Sequence, residues 1–245
     1  MMIGIGTIAN VAAIIAGSAL GVFARNGLSE RFKNTVMQAI SLSVVMIGIS
    51  GTLEGIFYVA ENGGIKSRYI MVMILSLVAG GLTGEALSIE QKLDKLGEWF
   101  QRKVAGSGGS FAQGFVTATL VYCVGAMAIV GSLEDGLMGD AGTLFAKSIL
   151  DGVTAIIFTT TMGIGVAFSA LPVLIYQGSI TLLAGIIKPW LTEAVITQMS
   201  IVGSVLIMGI GINMLDIKKI KVGNLLPSIF MPLVYYVVCT LLSSI

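Results

Sequence analysis

Long apolar stretches alternate with short polar ones along nearly the whole chain. A helix needs about 20 apolar residues to cross a bilayer, and the pattern predicts eight such spans: 2–24, 36–58, 69–88, 111–133, 152–171, 172–191, 194–215 and 224–244. The fifth and sixth abut. No charge occurs from Gly152 to Ile187, and one helix of that length would run about 54 Å, nearly twice the hydrocarbon thickness. Pro172, in FSALPVLIYQG, is the expected break, because proline interrupts a preceding helix yet fits the first turn of the next. Gln177, Gly178 and Ser179 follow at once, so 172–191 reads either as half of a tight hairpin or as a re-entrant stretch. The first span has no basic residue before it and no small-residue cleavage site after it, and is expected to be a retained helix rather than a signal peptide.

One segment breaks the pattern. Residues 88–103, SIEQKLDKLGEWFQRK, place Ile89, Leu93, Leu96 and Phe100 at helical spacing with Trp99 beside them and charges opposite. This is an amphipathic helix for the cytoplasmic interface, either covering the bundle floor or acting as a lipid sensor or gate. VAGSGGS at 104–110 then reads as a flexible joint.

The spans also repeat. GISGTLEG at 48–55 is echoed by AIVGSLEDG at 128–136, with Gly131 in the place of Gly51, and AGSALG at 16–21 is echoed by AGGLTG at 79–84. These echoes predict a single polytopic domain over 1–245 with repeat-like hairpins at 1–60 and 68–136 and a third segment at 147–245. IVGSVLIMGIGINMLD is a fainter third copy, in which Gly211 follows Gly131 at the same interval as Gly131 follows Gly51. In the eight-span arrangement it runs opposite to its two relatives, as in inverted-repeat transporters. The glycine pairs Gly17 with Gly21, Gly51 with Gly55 and Gly80 with Gly84 allow helix backbones to approach closely, for packing or for sliding of one hairpin on another.

Composition agrees with the pattern. Of 245 residues, 56% are hydrophobic and 11% charged, against about 25% charged in a soluble domain. The reading is an all-α integral membrane protein, a bundle of about eight transmembrane helices whose first partner is the lipid bilayer. With 14 basic against 13 acidic residues, nothing suggests nucleic-acid binding. Arg25, Arg31, Lys33, Lys92, Lys95, Arg102, Lys103, Lys218, Lys219 and Lys221 all fall in cytoplasmic loops if both termini lie outside, which satisfies the positive-inside rule.

Polar groups within the spans carry any chemistry, since a charge at membrane depth costs about 3 kcal/mol unless paired or hydrated. Glu54, Glu85, Glu134, Asp135, Asp151, Gln177 and Asn213 are the candidates for an ion or solute path. Asn10 and Thr159–Thr161 lie at similar depth. Glu85 sits near the cytoplasmic end of its span, whereas Glu54, Glu134, Asp135 and Asp151 sit near outer ends. Each taken singly is explained by an interfacial position. Together with Glu61 and Asp140 they make the outer face acidic, which attracts cations or protons. If the echoed motifs are two halves of one site, Glu54 and Glu134 meet near the outer mouth.

Enzyme signatures fail. Gly48–Gly51 matches the GxSG of intramembrane serine proteases, but the chain has no histidine. The glycines of GIG and MGIGIN lie inside apolar spans rather than after a strand, so no dinucleotide site follows. No cofactor or metal is expected, and Cys123 and Cys239 read as small packed hydrophobes.

MIGIGTIANVAAIIAGSALG, GAMAIVGSLEDGLMGD, KSILDGVTAIIF, PVLIYQGSITLLAG and VGNLLPSI together resemble the bacterial family called domain of unknown function 554. The resemblance implies the bacterial plasma membrane and a transport role, without a substrate or a site. Two functions are expected from the residues: transport of an ion or small solute by a secondary-transporter or channel-like mechanism, or a non-transporting scaffold or sensor. A homodimer through small-residue faces fits either.

Overall fold

The computed structural model describes residues 3–25, 30–100, 111–123 and 126–243; the joint expected at 104–110 lies outside them. Helices α1 (Ile5–Arg25), α2 (Glu30–Ile56), α7 (Gly142–Met162) and α11 (Glu193–Met214) are long enough to span. So are 165–182, made of the short α8 (Gly165–Phe168) and α9 (Ala170–Leu182), and 222–242, made of α12 (Val222–Leu225), a 3-10 turn (Leu226–Phe230) and most of α13 (Met231–Ser243). That makes 6 candidate spans among the described residues, and up to 7 if α5 (Phe111–Cys123) and α6 (Ala126–Met138) form one bent crossing. Helix α3 (Ile70–Ala86) is apolar but only 17 residues long. The amphipathic segment forms α4 (Ile89–Phe100), and the four-residue α10 is Ala184–Ile187.

Two expectations shift. The apolar count carries the second span to residue 58, but α2 ends at Ile56 and Phe57–Val59 forms strand β1, paired antiparallel with β2 (Ile65–Ser67). The break expected at Pro172 falls earlier, at Gly163, which closes α7 at φ 78 and ψ −165, a backbone region open essentially to glycine alone. Pro172 is the third residue of α9, where the first-turn N–H groups lack helical partners anyway and a missing donor costs little. The candidate spans in this part of the chain are therefore 142–162 and 165–182 rather than 152–171 and 172–191.

The chain gathers into two compact units, Met1–Ile40 with Leu93–Ile187, and Ser41–Lys92 with Lys188–Ile245. In the first, α1 and α7 run parallel in close contact: Gly6 meets Leu144, Gly17 meets the carbonyl of Gly152 and the methyl of Ala155, and Gly21 meets Ile156 and Thr159. A β-carbon on Gly17 or Gly21 would enter the backbone of α7. In the second unit α2 and α11 run antiparallel, Gly48 against Met208, Gly51 against Ser204 and Gly55 against Ile201, with Gly211 returning against Val45. Gly80 and Gly84 of α3 rest on Ser228 and Asn224.

The helix faces are sorted in an unusual sense. On α1 the buried positions are Gly6, Thr7, Asn10, Ile14, Gly17, Ser18 and Gly21, while Ile8, Ile15, Leu20 and Phe23 are exposed. On this helix small and polar residues go inward, with Ile14 the one large apolar side chain among them, and the other large apolar ones go outward. Without a hydrophobic drive between helices, close backbone contact and interhelical hydrogen bonds hold such a bundle.

Candidate functional site

Asn10 lies on the inward stripe of α1, one turn from Thr7. Lys147 and Asp151 lie one turn apart on α7, and Gln177 and Thr181 one turn apart on α9. These helices pack together within the first unit, so a stretch near the start of the chain meets two from its second half. Asn10 and Gln177 are fully buried, and Lys147 and Asp151 nearly so.

The Lys147 ammonium donates to both Asp151 oxygens, at 2.9 Å to Oδ1 and 2.8 Å to Oδ2. Asn10 Nδ2 donates to Asp151 Oδ2 at 3.0 Å and to Gln177 Oε1 at 3.3 Å. The carboxylate fixes both amides: turning Asn10 over would set its carbonyl against a carboxylate, and turning Gln177 over would set donor against donor. Lys147 and Asn10 thus both donate to the carboxylate, and Asn10 donates also to Gln177, so the ammonium and carboxylate charges cancel within the cluster. Among the described residues Asn10 Oδ1, Gln177 Nε2, Thr7 Oγ1 and Thr181 Oγ1 are buried without hydrogen-bond partners. An acceptor, an NH2 donor and two hydroxyls therefore remain for a further polar group.

Asp151 stands nine residues past Gly142, about 14 Å along a helix of 1.5 Å rise and so near the middle of α7, a candidate span. This corrects its expected place at an outer end. Hydropathy windows start after the charges, whereas the i,i+4 pairing of Lys147 with Asp151 lets α7 carry both inward. Lys147 is the residue that sequence reasoning missed. Its signal was the spacing in KSILD.

The other candidates have different surroundings. Asp135 is fully buried and accepts from the backbone N–H groups of Gly4 at 3.0 Å and Gly6 at 3.2 Å. It caps α1 from another helix, supplying negative charge where unpaired N–H groups collect. Glu134 accepts from Thr143 Oγ1 at 2.6 Å, tying the end of α6 to the start of α7. Glu54 is exposed and belongs to the second unit, whereas Glu134 belongs to the first. Glu85 pairs with Lys221 at 2.8 Å and accepts from Asn224 Nδ2 at 2.6 Å. Asn224 Oδ1 in turn accepts from Glu90 N at 2.7 Å, while Glu90 accepts from Gly223 N at 2.6 Å, so the starts of α4 and α12 cap each other. Asn213 makes two bonds to the backbone of Ile220, 2.8 and 2.7 Å, closing the turn after α11. Only Asp151 and Gln177 of the expected residues share one cluster here.

Long apolar helices whose outward faces leave many Ile, Leu, Val and Phe side chains exposed suit apolar surroundings, and this chain is an α-helical membrane protein. It belongs to the family described as Protein of unknown function (DUF554), whose model matches residues 5–237. It is similar to Uncharacterized membrane protein YdfK of Bacillus subtilis (strain 168), 35% identical over 227 residues and 93% of each chain. It is also similar to Uncharacterized protein YqgA of Escherichia coli (strain K12), 29% identical over 234 residues, 93% of this chain and 94% of the relative. No solved structure matches it.

Proposed function

We propose that this chain is a non-enzymatic carrier of an ion or small solute in the bacterial plasma membrane, with the path running through Asn10, Lys147, Asp151 and Gln177. The observation that carries the reading is a charge pair near the middle of a span whose neighbouring carboxamides keep unused hydrogen-bonding groups. Ionisable residues at membrane depth are rare and mark substrate or proton pathways. Glu134 stands close by in sequence at the outer end, and Glu54 remains a candidate for the outer mouth.

An eight-span topology with both termini outside goes with this reading. Alternating crossings require α1 and α7 to run in the same direction and α2 and α11 in opposite ones, which matches their contacts. Alternation also puts Asp135 on the side of Gly4, and Glu85 on the side of Lys221, as their bonds do. Duplication of the first two hairpins is supported by the shared role of Gly17, Gly21, Gly80 and Gly84 as backbone contact points.

The tight glycine contacts also favour a second reading, a rigid scaffold or sensor that moves nothing. A thermal-shift screen of purified protein against cations, amino acids and organic acids separates the two, since a ligand that binds the native state raises its melting temperature. The carrier reading expects a hit that Asn10→Ala or Gln177→Ala abolishes without lowering the unliganded melting temperature by more than a few degrees. Proteoliposomes that show no flux of any hit, or flux untouched by both variants, would leave the scaffold.

A further inference from the structure

The loop between α2 and α3 carries a surface that neither the bundle nor the polar cluster uses. Its hairpin starts with no linker: α2 ends at Ile56 and β1 begins at Phe57. The register pairs Phe57 with Ser67, Tyr58 with Lys66 and Val59 with Ile65. Side chains alternate between the two faces of a strand, and directly paired residues share a face. Phe57, Val59 and Ile65 therefore lie on one face, with Tyr58 and Lys66 on the other. The apolar face is bare: Phe57 is 46% exposed, Val59 74% and Ile65 75%.

The base of the hairpin is held firmly. Arg68 donates from its backbone N–H to Ile56 O at 2.8 Å and from Nε to Gly55 O at 3.3 Å, placing a cation at the C-terminal carbonyls of α2. Its guanidinium stands 5.5 Å from the ring centre of Tyr58 and 5.1 Å from that of Tyr69. The tip turns through Glu61, Asn62 and Gly63, closed by Ala60 N to Gly64 O at 2.8 Å, with Gly63 at φ 75, a three-residue hairpin loop.

We propose that this hairpin lies flat on the bilayer, its Phe57, Val59 and Ile65 face sunk to the headgroup–acyl boundary and its Lys66 face turned to water. At the ends of the two helices that the hairpin joins, Leu53 on α2 and Ile70 and Met71 on α3 are exposed as well. Tyr58 and Tyr69 stand where aromatic residues collect at membrane–water boundaries. A two-stranded hairpin this short is marginal alone in water, so a surface to lie on also accounts for its order. Three side chains fall well below the roughly 800 Å² per partner of a stable protein interface, which favours lipid over a second copy of the chain.

Tryptophan fluorescence tests this. In a Trp99→Phe, Trp190→Phe background, Val59→Trp and Lys66→Trp are compared in phosphatidylethanolamine–phosphatidylglycerol vesicles, with and without lipid brominated near the headgroup. Ile65→Trp serves as a second apolar-face reporter. The expected result is a blue-shifted Val59→Trp and Ile65→Trp emission quenched at least twofold more than that of Lys66→Trp. Equal quenching on both faces, or a water-like emission from the apolar face, overturns the proposal. So does blue-shifted but unquenched emission with cross-linking between chains at residue 59, which assigns the face to a second copy.

Discussion

Replacing Lys147 by methionine keeps the length of the side chain and removes its charge, leaving Asp151 as a buried carboxylate held only by Asn10. The two side chains are 8% and 7% exposed and their charged atoms are 2.8 Å apart. At an effective dielectric of about 20 the Coulomb attraction at that distance is roughly 6 kcal/mol. Desolvation offsets part of it, and breaking a buried pair by removing one partner costs about 3–5 kcal/mol. Lys147→Met and Asp151→Leu should each lose that much. The double variant should lose only about 1–2 kcal/mol, chiefly the Asn10 hydrogen bond, since an apolar pair of similar volume replaces a salt bridge at little cost. The coupling between the sites is then at least about 4 kcal/mol. Equilibrium unfolding in mixed micelles, by detergent titration with pulse proteolysis, measures all four proteins. Single variants within about 0.5 kcal/mol of wild type, the range of an ordinary surface substitution, would mean that water reaches the pair. Losses that simply add would mean that the two charges do not depend on each other. A double variant that folds like wild type but no longer responds to a ligand would separate function from stability at this site.

Asp135→Asn should weaken the cap on α1 by about 1–2 kcal/mol, read as faster hydrogen exchange at residues 4–8 with little change in the centre of α7. Gly17→Ala should lower stability by about 1–3 kcal/mol, because its new methyl enters the Gly152 carbonyl and a packed interface must separate to accept it. Gly178→Ala, where nothing lies within 4 Å of the added carbon, should raise stability by about 0.5–1 kcal/mol through helix propensity; thermal melts of the pair give opposite signs. With Cys123 and Cys239 replaced, a cysteine at Lys219 should resist an impermeant thiol reagent applied outside cells while one at Glu61 is labelled. Labelling at Lys219 would overturn the eight-span topology.

The apolar runs alone locate most of the helices, because crossing a membrane demands length and hydrophobicity, and both are written locally in the chain. Close glycine contacts were legible for the same reason: a missing side chain is visible as a letter. Hydropathy could not place Asp151, since a charge counts against a span until its partner is known, and Lys147 neutralises it only when α7 is helical. Asp135 reads as a free outer carboxylate until Gly4 and Gly6, at the far end of the sequence, turn their N–H groups to it. Pro172 is a strong local signal for a break, yet the turn falls at Gly163, because proline is tolerated in a first turn and only glycine takes the required backbone angles. The meeting of Asn10, Asp151 and Gln177 is a property of how α1, α7 and α9 pack. No single stretch contains it, since α7 supplies the charge pair while α1 and α9 each supply a carboxamide whose burial is unfavourable until the helices meet.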